Sequence, residues 1–221
     1  MEKWVVTAKK ADFQGIGRKY GIDPVIARII RNRDITGDEA IEEYLNGTLA
    51  DIPSWKLLKD IDKAVEIISG KIDAGTKMRI IGDYDIDGVT ATYILLKGFK
   101  RLGANVDTYI PDRVEDGYGI HDHLIKKAME DGIDTIVTCD NGISASSQIT
   151  YAKELGMTVV VTDHHEVPFT DTEEGRTYIL PPADAIINPK QADCTYPNKN
   201  ICGAVVAMKL VFALYEKYRL P

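Results

Sequence analysis

Apolar residues follow two different patterns along the chain. Up to about residue 75 they recur at intervals of three and four, as in Ile61, Val65, Ile68 and Ile72, which predicts helices. Beyond that point short apolar runs alternate with helical stretches, and the runs cover residues 78–81, 106–110, 135–139, 158–162 and 185–187. Successive runs begin 23 to 29 residues apart, which is close to the roughly 30 residues of a strand–helix–strand unit.

This alternation predicts an α/β fold with a parallel five-stranded sheet and helices on both faces, preceded by a helical amino-terminal segment. We place the helical segment at residues 1–75 and the sheet domain at residues 76–221. Between the fourth and fifth predicted strands, residues 163–184 form a polar connection that contains three prolines. It is longer than the roughly 12 to 15 residues beyond which structureless loops become uncommon, and we interpret it as a flap.

Composition narrows the class of protein. A chain of 221 residues, 44% hydrophobic and 28% charged, is neither disordered nor fibrous. No run approaches the roughly 18 apolar residues needed to cross a bilayer, and the first residues lack the apolar core of a signal peptide. The three cysteines form no C-x-x-C pair, which fits a reducing compartment. We therefore expect a cytoplasmic protein without a membrane segment.

The net charge of −7 is unfavourable for binding a phosphate-rich partner. That charge is unevenly distributed, because residues 1–33 hold eight Lys and Arg residues against three acidic residues. The rest of the chain is acidic, and several of its acidic residues lie in short motifs. The basic segment could follow a nucleic-acid backbone, although a solvated helix face explains it about as well.

Polar motifs follow four of the predicted strands. Ligands of open parallel sheets bind beyond the carboxyl ends of the strands, so these motifs are candidates for one shared site. In chain order they are Gly82-Asp83-Tyr84-Asp85-Ile86-Asp87-Gly88, Asp112-Arg113 with Gly117-Tyr118-Gly119, Asp140-Asn141-Gly142, and Asp163-His164-His165. Acidic residues, an arginine and a pair of histidines are therefore expected at one edge of the sheet.

Carboxylates gathered at one edge repel one another, and a divalent metal relieves that repulsion. Carboxylate oxygens suit Mg²⁺ and Mn²⁺, and an imidazole nitrogen moves the preference toward Mn²⁺. Two such ions about 3.5 to 4 Å apart can generate a hydroxide and hold the attacking and leaving oxygens of a displacement at phosphorus. The sequence therefore predicts a metal site that acts on a phosphate ester or anhydride.

The acidic motifs also have simpler interpretations. Asp83, Asp85 and Asp87 resemble the start of a calcium-binding loop, but such a loop needs a glutamate where this chain has Ile94. A solvated acidic turn is the other alternative. The stretch that begins at Asp140 would be an ordinary turn if it stood alone, and its interest comes from its position at the same edge.

The histidine pair divides into two roles. His164 directly follows a strand and an aspartate, which favours metal binding over a packing role. Neighbouring side chains of an extended segment face opposite sides, so His165 is expected to contact the scissile phosphate or to donate to the leaving oxygen. Asp163 is a candidate for orienting an imidazole.

The motif after the second strand offers substrate contacts. Arg113 can bind a phosphate through its guanidinium, or it can form a surface ion pair with Glu115 or Asp116. Tyr118, which lies between two glycines, can stack on a base or fill a turn.

The four motifs in this order resemble the DHH phosphoesterase superfamily. The Asp-Tyr-Asp-x-Asp-Gly form is similar in particular to its single-stranded-DNA-specific exonucleases, and the resemblance covers nearly the whole chain. It implies a 5′ to 3′ exonuclease that depends on Mn²⁺ or Mg²⁺ and serves recombination and repair. Single-stranded DNA is the implied partner, with a helicase or a single-strand-binding protein as further candidates, and we expect a monomer.

The resemblance also implies roles for individual residues. Metal binding falls to Asp85, Asp87, Asp140 and His164, with Asp140 bridging two ions and Asp83 supporting the cluster. The catalytic residues would be His165, facing the substrate phosphate, and Asp163. The substrate would be bound by Arg113, Tyr118 and Gly119.

In this family a further metal-binding aspartate, a substrate-gripping domain and an oligonucleotide-binding domain follow, and none fits before Pro221. We therefore expect the amino-terminal part of a longer enzyme, which binds metal and cleaves poorly alone. Two rival interpretations stay open. One is a phosphodiesterase for short oligonucleotides or cyclic dinucleotides, or a pyrophosphatase. The other is a receiver-like signalling domain that binds Mg²⁺ and accepts a phosphoryl group on Asp140.

Overall fold

The computed structural model describes residues 3–4, 9–172 and 175–220. Contacts between residues divide the chain into two units, Met1–Ile52 and Pro53–Pro221. None of the helices in the described ranges is long and apolar enough to cross a membrane.

The first unit contains three helices, α1 (Phe13–Tyr20), α2 (Pro24–Asn32) and α3 (Asp38–Asn46). Aspartates cap the first two, because an Asp12 oxygen accepts from the Gly15 amide at 2.8 Å and an Asp23 oxygen accepts from the Val25 amide at 2.7 Å. Such caps satisfy amides that a helix leaves unpaired at its start. The helical interpretation of this part of the sequence is confirmed for the described residues.

The second unit is built on a five-stranded parallel sheet. Its strands are β1 (Met78–Ile81), β2 (Val106–Tyr109), β3 (Thr135–Cys139), β4 (Thr158–Thr162) and β7 (Ala185–Ile187), arranged in the order β2-β1-β3-β4-β7. All four pairings are parallel. The helices of this unit are α4 (Ile61–Asp73), α5 (Ile86–Arg101), α6 (Asp122–Glu130), α7 (Ser146–Glu154) and α8 (Gly203–Lys217).

Side chains along each strand alternate between two cores, one on each face of the sheet. Ile80, Val137 and Val160 pack with α4, α5 and α8, whereas Ile136 and Val161 pack with α6 and α7. Strands buried on both faces appear in a sequence as continuous apolar runs, and the predicted α/β fold with a parallel five-stranded sheet is confirmed. Because the strands are parallel, their carboxyl ends lie at one edge.

Two boundaries differ from the sequence pattern. The division between the units falls at Ile52 and Pro53 rather than near residue 75, because α4 buries Ile61, Ala64 and Ile68 in the core beside the sheet. In addition, the connection over residues 163–184 contains an antiparallel pair of exposed strands, β5 (Phe169–Thr172) and β6 (Gly175–Tyr178). Helical periodicity identifies an element but not the core against which it packs.

Candidate metal centre

The loop after β1 leads directly into α5 and fixes two aspartates. An Asp85 oxygen accepts from the amides of Asp87 and Gly88, both at 2.9 Å, and so caps the helix. Asp83 lies beneath this cap and is almost fully buried. A Cβ atom on Gly88 would lie 2.6 Å from the Asp83 Cβ, so glycine is needed where the helix begins against Asp83.

Asp140 follows β3 and is buried, with 1% of its surface exposed. Its backbone is left-handed, with φ at 61°, a conformation that Asp and Asn adopt more readily than most residues. A Cβ atom on Gly203 would lie 2.7 Å from Asp140 Oδ1, so the start of α8 closes over this carboxylate. No donor in the described part of the chain is aligned to bond Oδ1, although His164 Nε2 lies 3.0 Å away.

Burial and neighbouring charge both disfavour the ionised form of this carboxyl. Desolvation, followed by the charges of Asp87 and Asp85, raises the pKa of Asp140 to about 8. Burial also raises the pKa of Asp83, and its Oδ1 likewise meets no hydrogen-bond donor among the described residues. Two buried carboxylate oxygens without donors are the arrangement expected where a cation binds, because a cation compensates the lost hydration.

Asp163 follows β4 and is also buried, but its oxygens are fully used. Oδ1 accepts from the amides of His164 at 2.7 Å and His165 at 3.1 Å, and it lies 2.8 Å from His165 Nδ1. Oδ2 accepts from the Ile143 amide at 2.9 Å. The hydrogen bond with Asp163 raises the pKa of His165. Asp163 therefore fixes the turn that carries both histidines and orients one imidazole.

The structure brings most of the predicted metal ligands together in two overlapping groups. One group is Asp83, Asp85 and Asp140, and the other is Asp140, His164 and His165. Within each group the ligand atoms lie within 4.8 Å of one another. Asp140 belongs to both, which places it at the centre of the cluster.

Asp87 is placed at the same edge but has other partners. Its two oxygens accept from the amides of Gly203 and Ala204, each at 2.7 Å, at the start of α8. Its Oδ2 also lies 3.4 Å from His164 Nε2. A carboxylate at the start of a helix is stabilised by the amides that the helix leaves unpaired, so Asp87 joins α8 to the edge that carries the cluster.

The loop after β2 brings two of the predicted substrate residues to the cluster. The Arg113 guanidinium lies 5.4 Å from the centre of the Tyr84 ring. Arg113 forms no ion pair within the described ranges, and Asp116, one of its possible partners, instead lies 2.8 Å from His123 Nε2. The Tyr118 hydroxyl donates to the Asp140 carbonyl oxygen at 3.2 Å and lies 3.3 Å from His165 Nδ1. Gly119 follows with a positive φ of 84° and is buried.

Some contributors to the site were not found from the sequence. Asn141 donates to the carbonyl oxygens of Ile81 at 3.2 Å and Cys139 at 3.0 Å, which ties together the ends of β1 and β3. Asn188 donates to the His165 carbonyl oxygen at 3.0 Å. The position of Asn141 in the polar motif that follows β3 was the available signal, whereas the contacts of Asn188 depend on distant parts of the chain.

The chain is similar to a known family and to its solved structures. The profile described as DHH family, N-terminal domain, matches residues 77–220. The single-stranded-DNA-specific exonuclease RecJ of Escherichia coli (strain K12) is 38% identical over 194 residues, which are 87% of this chain and 31% of the relative. The RecJ of Bacillus subtilis (strain 168) is 36% identical over 213 residues, 96% of this chain and 26% of the relative.

A crystal structure of RecJ in complex with Mn²⁺ from Thermus thermophilus superimposes with a TM-score of 0.67. It is 28% identical and covers 95% of this chain and 28% of that protein. The chain therefore spans about a third or less of the length of these relatives.

Proposed function

The chain belongs to the DHH family, and on this premise we propose that it acts in the hydrolysis of single-stranded DNA from its 5′ end. The observation that carries the proposal is the cluster centred on Asp140, whose buried oxygen meets no donor among the described residues and whose pKa is raised to about 8. RecJ relatives, which are named as single-stranded-DNA-specific exonucleases, match most of this chain. A role in recombination and repair is part of the same proposal.

We assign Mn²⁺ or Mg²⁺ as the cation, in agreement with the mixed carboxylate and imidazole ligands. Asp83, Asp85, Asp140 and His164 would hold it, and Asp87 lies beside them. With two ions bound, Asp140 would serve both, since it belongs to both groups of ligand atoms. Such ions, when bound, would lower the pKa of a water molecule and neutralise charge on a phosphate.

His165 acts on the substrate rather than as the primary metal ligand. Asp163 Oδ1 lies 2.8 Å from Nδ1 of His165 and orients the ring. This hydrogen bond also raises the pKa of the imidazole. An oriented, protonated imidazole can donate to a phosphate oxygen or give its proton to the leaving oxygen. Asp163 therefore acts through His165, and we assign it a positioning role.

Arg113 and Tyr118 would bind the DNA strand. The position of Arg113 over Tyr84 keeps a guanidinium next to the loop that carries Asp83 and Asp85, where it can bind a phosphate. Gly119 is buried and has a left-handed backbone, and it lines a cleft together with Tyr118 and His165.

Titration of the 221-residue chain with Mn²⁺ by calorimetry tests the metal assignment. Asp140→Asn should lower the affinity at least tenfold, and His164→Ala should lower it similarly. The matched control is Asp62→Asn, an exposed residue of α4, which should bind Mn²⁺ as the unchanged chain does. Equal affinity in the Asp140 and His164 variants would show that the metal binds elsewhere.

A nuclease assay on the protein at its natural full length tests the reaction. With Mn²⁺ it should release mononucleotides from long single-stranded DNA labelled at the 5′ end and leave duplex DNA intact. Hydrolysis of dinucleotides or cyclic dinucleotides alone would instead support the short-substrate phosphodiesterase. Phosphorylation of Asp140 by a small phosphodonor would support the receiver-like alternative.

A further inference from the structure

A cleft of about 350 Å³ adjoins His165. Asp163 and His165 form part of its wall, together with Tyr118 from the loop after β2 and residues from the start of α7. Its volume is within the range of small-molecule sites, which is about 300 to 1,000 Å³. The ligands of the metal cluster other than His165 do not line it, so the cleft is a separate space beside that cluster.

The walls of this cleft suit an uncharged group. Ile120, Ile143 and Ala145 contribute apolar surface, and Gly119, where a Cβ atom would meet nothing within 4 Å, leaves room for a close approach to the backbone. No Lys or Arg lines the cleft within the described part of the chain, and the Asp163 carboxylate is already bonded to His165. A free phosphate would find no cationic side chain here except the imidazoles.

Polar groups are nevertheless placed for a ligand with hydrogen-bonding edges. His121 Nε2 is buried and has no hydrogen-bond partner among the described residues. Gln148 accepts from the Ser147 hydroxyl at 2.9 Å through Oε1, and its amide nitrogen meets no acceptor in the ranges that the structure covers. An apolar cleft with a few polar groups is typical of a small-molecule site, and a nucleobase has the flat apolar faces and polar edge that such walls accommodate.

We propose that this cleft receives the nucleoside next to the scissile phosphate, with the base against Ile120 and Ile143 and its polar edge near Gln148. The inference rests on the proposed function, because it needs the phosphate at His165. A phosphate bonded to His165 brings its attached sugar to the mouth of the cleft, since His165 is itself a wall residue. The cleft therefore favours ligands that carry a base, and Gln148 is the residue that contacts the polar edge of that base.

The test uses binding of deoxythymidine 5′-monophosphate to the 221-residue chain with Mg²⁺, followed by amide NMR. The mononucleotide should shift the amides of Gly119, Gly142 and Ser144. The compound 2-deoxyribose 5-phosphate, which lacks the base, should bind at least tenfold more weakly. Equal binding of the two compounds, or no shift at these three amides, would overturn the proposal.

A pair of variants locates the ligand. Ser144 lines the cleft, is exposed and has no hydrogen bond to its side chain among the described residues, so Ser144→Trp should fill the mouth and lower the mononucleotide affinity at least tenfold. Thr150→Trp, an exposed change further along α7, should leave the affinity unchanged. If both tryptophans weaken binding equally, or neither does, the ligand lies elsewhere.

Two further measurements separate this inference from the proposed function. Gln148→Leu keeps the size of the side chain and should reduce the preference for the nucleotide over the base-free phosphate, which gives a readout independent of the tryptophan variants. The same samples are titrated with Mn²⁺. An unchanged base preference in Gln148→Leu with normal Mn²⁺ binding would overturn the cleft assignment alone, whereas failure of the unchanged chain to bind Mn²⁺ would overturn the metal site.

Discussion

Asp140 and Asp163 follow neighbouring strands of the same sheet, and each has only 1% of its surface exposed. Their surroundings nevertheless differ. The oxygens of Asp163 face three backbone amides and one imidazole nitrogen. Oδ1 of Asp140 meets no aligned donor in the described part of the chain, and the nearby carboxylates help to raise the pKa of Asp140 to about 8.

The difference shows two uses of a buried carboxylate. Asp163 is balanced by the protein itself, so it stabilises the fold and holds the histidine turn in place. Asp140 is not balanced by the protein, so it costs stability until a cation arrives. Burial alone does not distinguish a carboxylate that stabilises the fold from one that binds a metal. The number of hydrogen-bond donors that face each oxygen distinguishes the two.

The largest loss of stability is expected from Asp163→Asn. An asparagine replaces one carboxylate oxygen with an NH₂ group. That group cannot accept the hydrogen bond from the backbone N–H that it then faces. Hydrogen bonds to charged groups contribute about 1.5 to 3 kcal/mol each, so the free energy of unfolding should fall by about 3 kcal/mol. Thermal unfolding of the metal-free chain measures this as a Tm lower by about 6 to 12 °C.

Asp171→Asn is the control for that change. Asp171 lies on the exposed strand β5, and its side chain is 74% exposed. Surface substitutions of this kind usually change stability by less than about 0.5 kcal/mol. Equal destabilisation by the two substitutions would contradict the structural role of Asp163.

An effect of opposite sign is expected from Asp140→Asn. The folded-state pKa of Asp140 is raised to about 8 from an unfolded value of about 3.9, so the folded chain holds the extra proton. Asp140 therefore destabilises the folded chain least below about pH 4, and this destabilisation grows as the pH rises to about 8. Asparagine also tolerates the left-handed backbone, so the variant should be the more stable chain at pH 8 without metal, and the difference should shrink as the pH falls toward about 4.

The measurement is the free energy of unfolding at pH 5, 6.5 and 8 for both chains without metal. His165 also has a raised pKa and loses stability in the same direction, and Asp140 is one cause of that shift, so the difference reports Asp140 together with its coupling to His165. Addition of Mn²⁺ should stabilise the unchanged chain and leave the variant little changed, because a ligand at 100 times its Kd stabilises the folded form by about 2.7 kcal/mol. A difference that does not change with pH would contradict the raised pKa.

The sequence was sufficient for the strands and for the side chains after them. Four of the five predicted strands have the bounds that the structure gives, and the second ends one residue earlier, at Tyr109. Buried parallel strands have a local signature, and the topology then brings their carboxyl ends together. Asp83, Asp140 and His164 were therefore predictable as neighbours.

Contacts between distant segments were not predictable in this way. The pairing of Asp87 with the amides of Gly203 and Ala204 joins residues more than a hundred positions apart, and no spacing in the sequence expresses it. The strands β5 and β6 are polar and exposed, so they lack the apolar signature by which a strand is recognised. The lack of donors at Asp140 Oδ1 follows from the surrounding fold, since the motif itself resembles a turn.

The smallest effect is expected from Tyr118→Phe. The hydroxyl donates to the backbone carbonyl of Asp140 at 3.2 Å, not to its carboxylate, and the side chain is half exposed. Loss of one such bond should cost about 0.5 to 1.5 kcal/mol in denaturant unfolding of the metal-free chain. Because the unbonded Asp140 oxygen is untouched, the variant should keep the pH dependence of stability that Asp140→Asn removes. A flattened pH dependence in Tyr118→Phe would show that the hydroxyl supports the Asp140 carboxylate directly, and the contrast between Asp140 and Asp163 would then be weaker than these contacts indicate.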